Sequence, residues 1–268
     1  MSLSIQGKTA IVTGAANGLG LAIARHFIDR GANVMFADID EARLEAEIGD
    51  EAKGEGPLRM FAGDLCQKLT ISNLLSATMD AFGRIDILVN AARQIALSDP
   101  LSPDGDNVEA LFKQNVLTGL RLSQQVARRM IAQAEGDVSE APGGVIVNVT
   151  STTARQSTPD LLGKSLASAG VEQMTRGLAL SLAPKGIRVN AVAVGSVLTS
   201  TLQAQLKQQP ELRSQILAGT PLGRIAPAAE VAETVQYLAS DASAFMTGQV
   251  LRLDGGRGLL DAVASAAH

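Results

Sequence analysis

The chain has 268 residues with 27 acidic against 23 basic side chains, a formal charge of −4, two His, one Cys, one Tyr and no Trp. A single Cys excludes an internal disulfide or thiolate metal cluster, and two His (His26 and the last residue, His268) cannot supply a multi-His metal site or leave much for a Ser-His-Asp triad, so no metal is expected. Lys and Arg are scattered and the pI is about 5.3, which argues against nucleic acid as a partner, and with no apolar run long enough for a membrane span or a signal peptide a soluble, cytoplasmic protein is expected.

From Lys8 short apolar runs alternate with longer amphipathic ones, the pattern of parallel strands joined by crossover helices. Strands are predicted at Lys8–Thr13, Asn33–Ala37, Leu58–Ala62, Ile85–Val89, Val145–Val149, Ile187–Val192 and Gln249–Leu253. The first helix runs to about Arg30 and is stopped by Gly31. Long helices are expected over Asn107–Ala134 and Asp160–Ala183, and two polar stretches, Gln94–Asn107 and Gly136–Gly144, read as surface loops. No repeat or linker divides the chain, and the tail after Gly258 is too short to be a module. The expected fold class is α/β, one doubly wound parallel sheet of about seven strands with helices on both faces, in a single domain over residues 1–268.

TGAANGLG, from Thr13 to Gly20, falls between the first strand and the first helix, where an α/β nucleotide site must lie. Gly14, Gly18 and Gly20 let backbone N–H groups approach a pyrophosphate, and the helix N-terminus adds partial positive charge. Asp38 ends the second strand 24 residues after Gly14, close to where a carboxylate accepts from an adenosine ribose. Its other reading is an N-cap for the helix starting near Glu41. A carboxylate there repels a 2′-phosphate, so the dinucleotide expected is NAD(H) rather than NADP(H).

Through these motifs the sequence resembles the short-chain dehydrogenase/reductase family from about Gly7 to Gly256, which implies a Rossmann-type fold. Asp64-Leu65 after the third strand matches the family's adenine contact, and DILVN, ending at Asn90, resembles the strand leading into its NNAG motif. Asn115 matches the Asn of the catalytic tetrad, and VNVTS ends at Ser151, the position of the catalytic Ser. LAPKGIRVNAVAVG, from Leu182 to Gly195, and PLGRIAPAAEVAETVQYLAS with GQVLRLDGG are similar to the family's C-terminal third. The resemblance implies cofactor contacts from Gly14, Asn17, Gly18, Leu19, Gly20, Asp38, Asp64, Leu65, Asn90, Ala91, Ala92, Arg93 and, at the nicotinamide carboxamide, Thr199.

The chain departs from the family at the residues that carry its chemistry. Anchored on SAGVEQMTRGLALSLAPKGIRVN, the Lys of the family's YxxxK is Ser168 and the Tyr is Lys164, thirteen residues after Ser151 as the family spacing requires. The tetrad positions read Asn115, Ser151, Lys164 and Ser168. Tyr237 lies in VAETVQYLAS at an apolar packing position and cannot substitute. A positioned proton donor is worth about 10²- to 10⁴-fold in rate. Lys164 acts as an acid only if its pKa falls several units, which needs burial or a nearby cation, and the sequence shows no such cation; its other reading is a solvated or salt-bridged helix residue. Asn115 inside a helix suggests a polar duty such as satisfying a kink, and Ser151 either keeps a catalytic role or caps the following loop. NNAG appears as Asn90-Ala91-Ala92-Arg93, and Arg93 either reaches across the pyrophosphate or fills adenosine or nicotinamide volume and excludes NAD. Cys66, His26 and Met174 read as ordinary helix or core residues.

Three functions follow as expectations: a pseudoenzyme serving as sensor, scaffold or partner subunit; an NAD-dependent oxidoreductase with an altered proton donor; and a non-redox enzyme using Lys164 beside Ser151. The resemblance implies a homotetramer or homodimer paired through the two long helices. It places the pocket for a small-molecule substrate, if one exists, between the Gln94–Asn107 loop and a mobile segment from Ser196 to about Arg224.

Overall fold

The computed structural model describes residues 2–102, 104, 106–136, 143–156 and 158–261. The apolar runs form β1 (Thr9–Thr13), β2 (Asn33–Asp38), β3 (Leu58–Ala62), β4 (Ile87–Asn90), β5 (Gly144–Ser151), β6 (Ile187–Val194) and, beyond a separate short pair, β9 (Val250–Leu253). Together they make one seven-stranded sheet in the order β3-β2-β1-β4-β5-β6-β9. Every pairing is parallel, so both faces need helices; the central strands are buried almost throughout, and the edge strands β3 and β9 mostly half-buried.

One face is covered by α1 (Gly18–Asp29), α2 (Glu41–Ala52) and α9 (Ala228–Ala239), with Ile23, Phe27, Leu44, Val231 and Val235 fully buried against Val12 and Val34. The other is covered by α3 (Lys68–Phe82), α5 (Thr118–Gly136) and α6 (Leu162–Leu182), packed on Ile11, Met35, Leu88, Ile146 and Val189. This is the doubly wound α/β arrangement that the alternation of runs predicts. His26 and Tyr237 are structural as expected: the His26 ring bonds the Gln236 side chain at 2.7 Å, and the Tyr237 hydroxyl donates to Met246 Sδ at 3.2 Å.

Several boundaries move for local reasons. Ile85 precedes β4 because its N–H and carbonyl are taken by the Gln133 side chain, at 3.0 Å each, rather than by a neighbouring strand. The second strand extends to Asp38, and β5 and β6 extend to Ser151 and Val194, carrying their ends further into the site. The helix expected over Asn107–Ala134 is interrupted: α4 (Val108–Phe112) passes through a π-helical turn, Lys113–Leu117, before α5. Asn107 takes a left-handed φ of 54° and bonds the Leu97 carbonyl at 2.8 Å, so it lies outside the helix. A 3-10 turn, Pro159–Leu161, precedes α6.

The segment after β6, read as mobile from sequence, carries β7 (Val197–Leu198), α7 (Ser200–Gln208) and α8 (Pro210–Ala218). Its ends are clipped together where β7 pairs with β8 (Ala226–Pro227), two strands too short to leave a periodicity in the sequence. Most of the Gly136–Gly144 loop and the tail after residue 261, including His268, lie outside the described residues. Among the described residues no helix is long and apolar enough to cross a membrane.

Candidate functional site

The strand order reverses between β1 and β4, and a cleft opens there at the carboxyl ends of the strands. Thr13, the last residue of β1, holds its two sides together: its hydroxyl accepts from the Ala91 and Ala92 N–H groups at 3.1 Å each. Gly14 follows with φ +70°, and a Cβ there would sit 2.7 Å from the Ala92 Cα, so only glycine lets the two backbones meet. Gly18 also takes a positive φ, while Gly20 lies so close to the Gly14 carbonyl that a Cβ would collide with it. Leu19 is buried beneath the turn, and Asn17 caps α1 with extended backbone and no side-chain cap bond.

Asp38 lines the cleft beside this turn and one carboxylate oxygen accepts from the Ala16 N–H at 3.0 Å. The cap of α2 is Asp40 instead, which accepts from the Arg43 N–H at 3.0 Å, and this removes the capping alternative for Asp38. Asp64 and Leu65 line the same end. Asp64 accepts from the Cys66 N–H at 2.9 Å, and this backbone bond, chiefly, holds its carboxyl below the usual range. Carboxylates retain acceptor capacity after one or two such bonds, so this end can still receive ribose hydroxyls.

At the other end the tetrad positions separate. Asn115 sits in the π-turn and pairs both ways with the backbone of Gln94, its Oδ1 accepting at 2.7 Å and its Nδ2 donating at 2.9 Å. That is the polar duty expected of a helix-interior Asn, and it fixes the chain immediately after Arg93. Ser151 lies outside the cleft walls, 5% exposed, and its Oγ caps the next turn by accepting from the Thr153 N–H at 3.3 Å. Lys164 and Ser168, one turn apart on α6, both face the cleft. Ser168 is 9% exposed with its hydroxyl 3.3 Å from that of Thr153.

Arg93 does not turn toward the glycine loop. It crosses from the exit of β4 to the exit of β5, on the side away from β1, and Nη1 donates to the Thr150 carbonyl at 3.1 Å. Burial pushes its pKa down to about 10, so it stays charged near neutrality. Burial first, and the Arg93 charge second, also lower the Lys164 pKa. The cation that the sequence did not show is therefore Arg93 itself, brought beside Lys164 by the β4–β5 pairing. Lys164 is half-buried on the cleft wall and makes no salt bridge among the described residues, so the reading of it as a salt-bridged helix residue finds no partner there.

Asn90 is structural in its contacts, its Nδ2 donating to Ser123 Oγ at 3.0 Å and Asn148 Oδ1 at 2.8 Å beneath the cleft. Thr199 spends its hydroxyl capping α7, accepting from the Leu202 N–H at 3.3 Å, while its methyl lies within 4.0 Å of a Cβ built on Gly18. The sequence missed two contributions. Thr13, inside the glycine motif, was read as strand rather than as the clamp. Cys66 is not a helix residue but lines the cleft between β3 and α3, its Sγ 3.2 Å from Thr118 Oγ1; Met174, by contrast, is the α6 residue packed on the core that the sequence suggests.

This arrangement has close counterparts. A family model described as enoyl-(acyl carrier protein) reductase matches residues 14–257. The chain is 32% identical over 260 residues to 2,3-dihydroxy-2,3-dihydro-p-cumate dehydrogenase of Pseudomonas putida, covering 97% of both chains. It is 34% identical over 252 residues to cis-4-hydroxycyclohexanecarboxylate dehydrogenase of Sinomonas cyclohexanicum, covering 93% of this chain and 96% of the other. Among solved structures, 7α-hydroxysteroid dehydrogenase complexed with NADH and 7-oxo glycochenodeoxycholic acid superposes with a TM-score of 0.85 at 29% identity, over 95% of each chain. Matched over nearly its whole length in sequence and in fold, the chain belongs to the short-chain dehydrogenase/reductase family of oxidoreductases.

Proposed function

We propose that this protein binds NAD(H) in the cleft but has lost the side-chain pair with which its family moves the substrate proton, so that it does not turn over by ordinary hydride transfer. The observation that supports the reading is the occupancy of one face of α6: Lys164 and Ser168, which the resemblance aligns with the family's Tyr and Lys, both line the cleft, and Arg93 lines it with them and acts electrostatically on Lys164. A formed glycine turn, with Asp38 and Asp64 at the far end, supports retention of the adenosine and pyrophosphate half of the site. The NADH bound by the 7α-hydroxysteroid dehydrogenase supports the class of cofactor. When bound, the nicotinamide supplies a hydride or accepts one. In this chain the proton has no phenol to travel through, Ser151 Oγ is engaged in a cap, and Asn115 is engaged with Gln94. The contribution of a positioned acid–base group, about 10²- to 10⁴-fold, is then absent.

Calorimetric titration of the nucleotide-free protein tests the first half: NADH binds in the micromolar range and NADP+ does not, because Asp38 repels the 2′-phosphate. A panel of secondary alcohols and carbonyls tests the second, with no steady conversion of cofactor expected. Steady NADH production that Lys164→Met abolishes would overturn it in favour of Lys164 as proton donor.

The lowered pKa of Lys164 supports a second reading, non-redox chemistry in which its amine acts as base or forms a Schiff base with a carbonyl. Borohydride trapping of a carbonyl compound on Lys164 separates that reading from the first.

A further inference from the structure

The cleft ends in two cations with no acid to balance them among the described residues. Arg93 makes one hydrogen bond among the described residues, to the Thr150 carbonyl, which leaves most of its N–H donors free. Lys164 has none, and among the described residues Arg93 is the charged group that acts on it. The carboxylates of the cleft, Asp38 and Asp64, stand at the opposite end and are held there by the N–H groups of Ala16 and Cys66. Two like charges sharing a partly buried pocket are costly unless a counter-charge joins them. The pocket also offers the right donors for one: a planar guanidinium that can engage two oxygens, an ammonium, and the Ser168 hydroxyl one turn further along α6.

We propose that Arg93 and Lys164 form a binding site for an oxyanion, the carboxylate or phosphate of a small molecule that enters this end of the cleft. The glycine turn lies on the β1 side of the cleft and Arg93 is directed to the β5 side, so this oxyanion is not the cofactor's pyrophosphate. The inference goes beyond the dinucleotide reading and does not require it.

The test is calorimetry with inorganic phosphate and, separately, benzoate, on the nucleotide-free and the NADH-saturated protein. One of the two anions binds, and its affinity falls about tenfold or more in Lys164→Met and in Arg93→Gln but less in Lys164→Arg. Preference for benzoate identifies a carboxylic acid ligand, and preference for phosphate a phosphorylated one. Loss of anion binding on saturation with NADH would assign the site to the cofactor's own phosphates and overturn the proposal. A second readout needs no variant to fold well: the Lys164 pKa, followed by NMR of isotopically labelled lysine, rises when the anion is added. A pKa that neither anion moves overturns the proposal. Anion binding intact in a protein that never binds NADH refutes the dinucleotide reading alone.

Discussion

Lys164 concentrates the residue-scale physics. Its pKa is depressed, so the folded protein binds its proton less readily than the unfolded chain does. The cost of the buried charge is full below the folded pKa and is relieved as pH rises from there toward the ordinary 10.5. Lys164→Met removes that cost, and its melting midpoint should exceed the parent's by about 2–4 °C near pH 7, the gain shrinking at alkaline pH. Thermal melts of both proteins across that range check it; a gain independent of pH would mean that the ammonium is solvated. Asn115 and Ser151 show the opposite outcome, polar groups that the resemblance singles out and that already hydrogen-bond the backbone, Asn115 both ways with Gln94 and Ser151 Oγ as acceptor from Thr153.

At the scale of elements, the site depends on how closely β1 and β4 approach at their ends. Thr13 bridges two N–H groups of the opposite strand exit, and Gly14 passes over Ala92 with no space for a side chain. Gly14→Ala should cost about 2 kcal/mol or more, from the left-handed backbone and the clash with Ala92 together, and should abolish NADH binding. Urea unfolding and calorimetry on the same variant measure both, and an unchanged midpoint would refute the close approach. The π-turn is the second such element. It rotates Asn115 toward the Gln94 backbone, and through that pairing the α4–α5 junction sets the direction in which Arg93 leaves β4.

The whole molecule sets one end of its cleft acidic and the other basic. Asp38 and Asp64 line one end, Arg93 and Lys164 the other. Oxidised nicotinamide is cationic and reduced nicotinamide is neutral, so a site with two uncompensated cations at that end should favour NADH over NAD+ by about tenfold. Paired titrations at low salt measure the ratio, and equal affinities would place the nicotinamide away from Arg93. The exposed Leu166 and Leu180 of α6 support a second proposal, association through α5 and α6 into a homodimer or homotetramer. Light scattering should return a multiple of the 27.8 kDa chain mass, and a strictly monomeric mass would exclude it.

What the sequence determined by itself is the part written in short-range pattern. Buried parallel strands must be continuous apolar runs and crossover helices must be amphipathic, so seven strands, their order in the chain and the glycine turn were all legible. That Lys164 and Ser168 share one helix face was legible too, because spacing along a helix converts directly into a shared face. Only the tertiary structure decided what those side chains meet. The parallel pairing of β4 with β5 carries Arg93 across to Thr150 and Lys164, residues far apart in the chain. Capping of α2 by Asp40 leaves Asp38 to the cleft, and the π-turn spends Asn115 on Gln94. Electrostatic coupling and hydrogen bonding depend on distance in space, and no periodicity in the sequence encodes that distance.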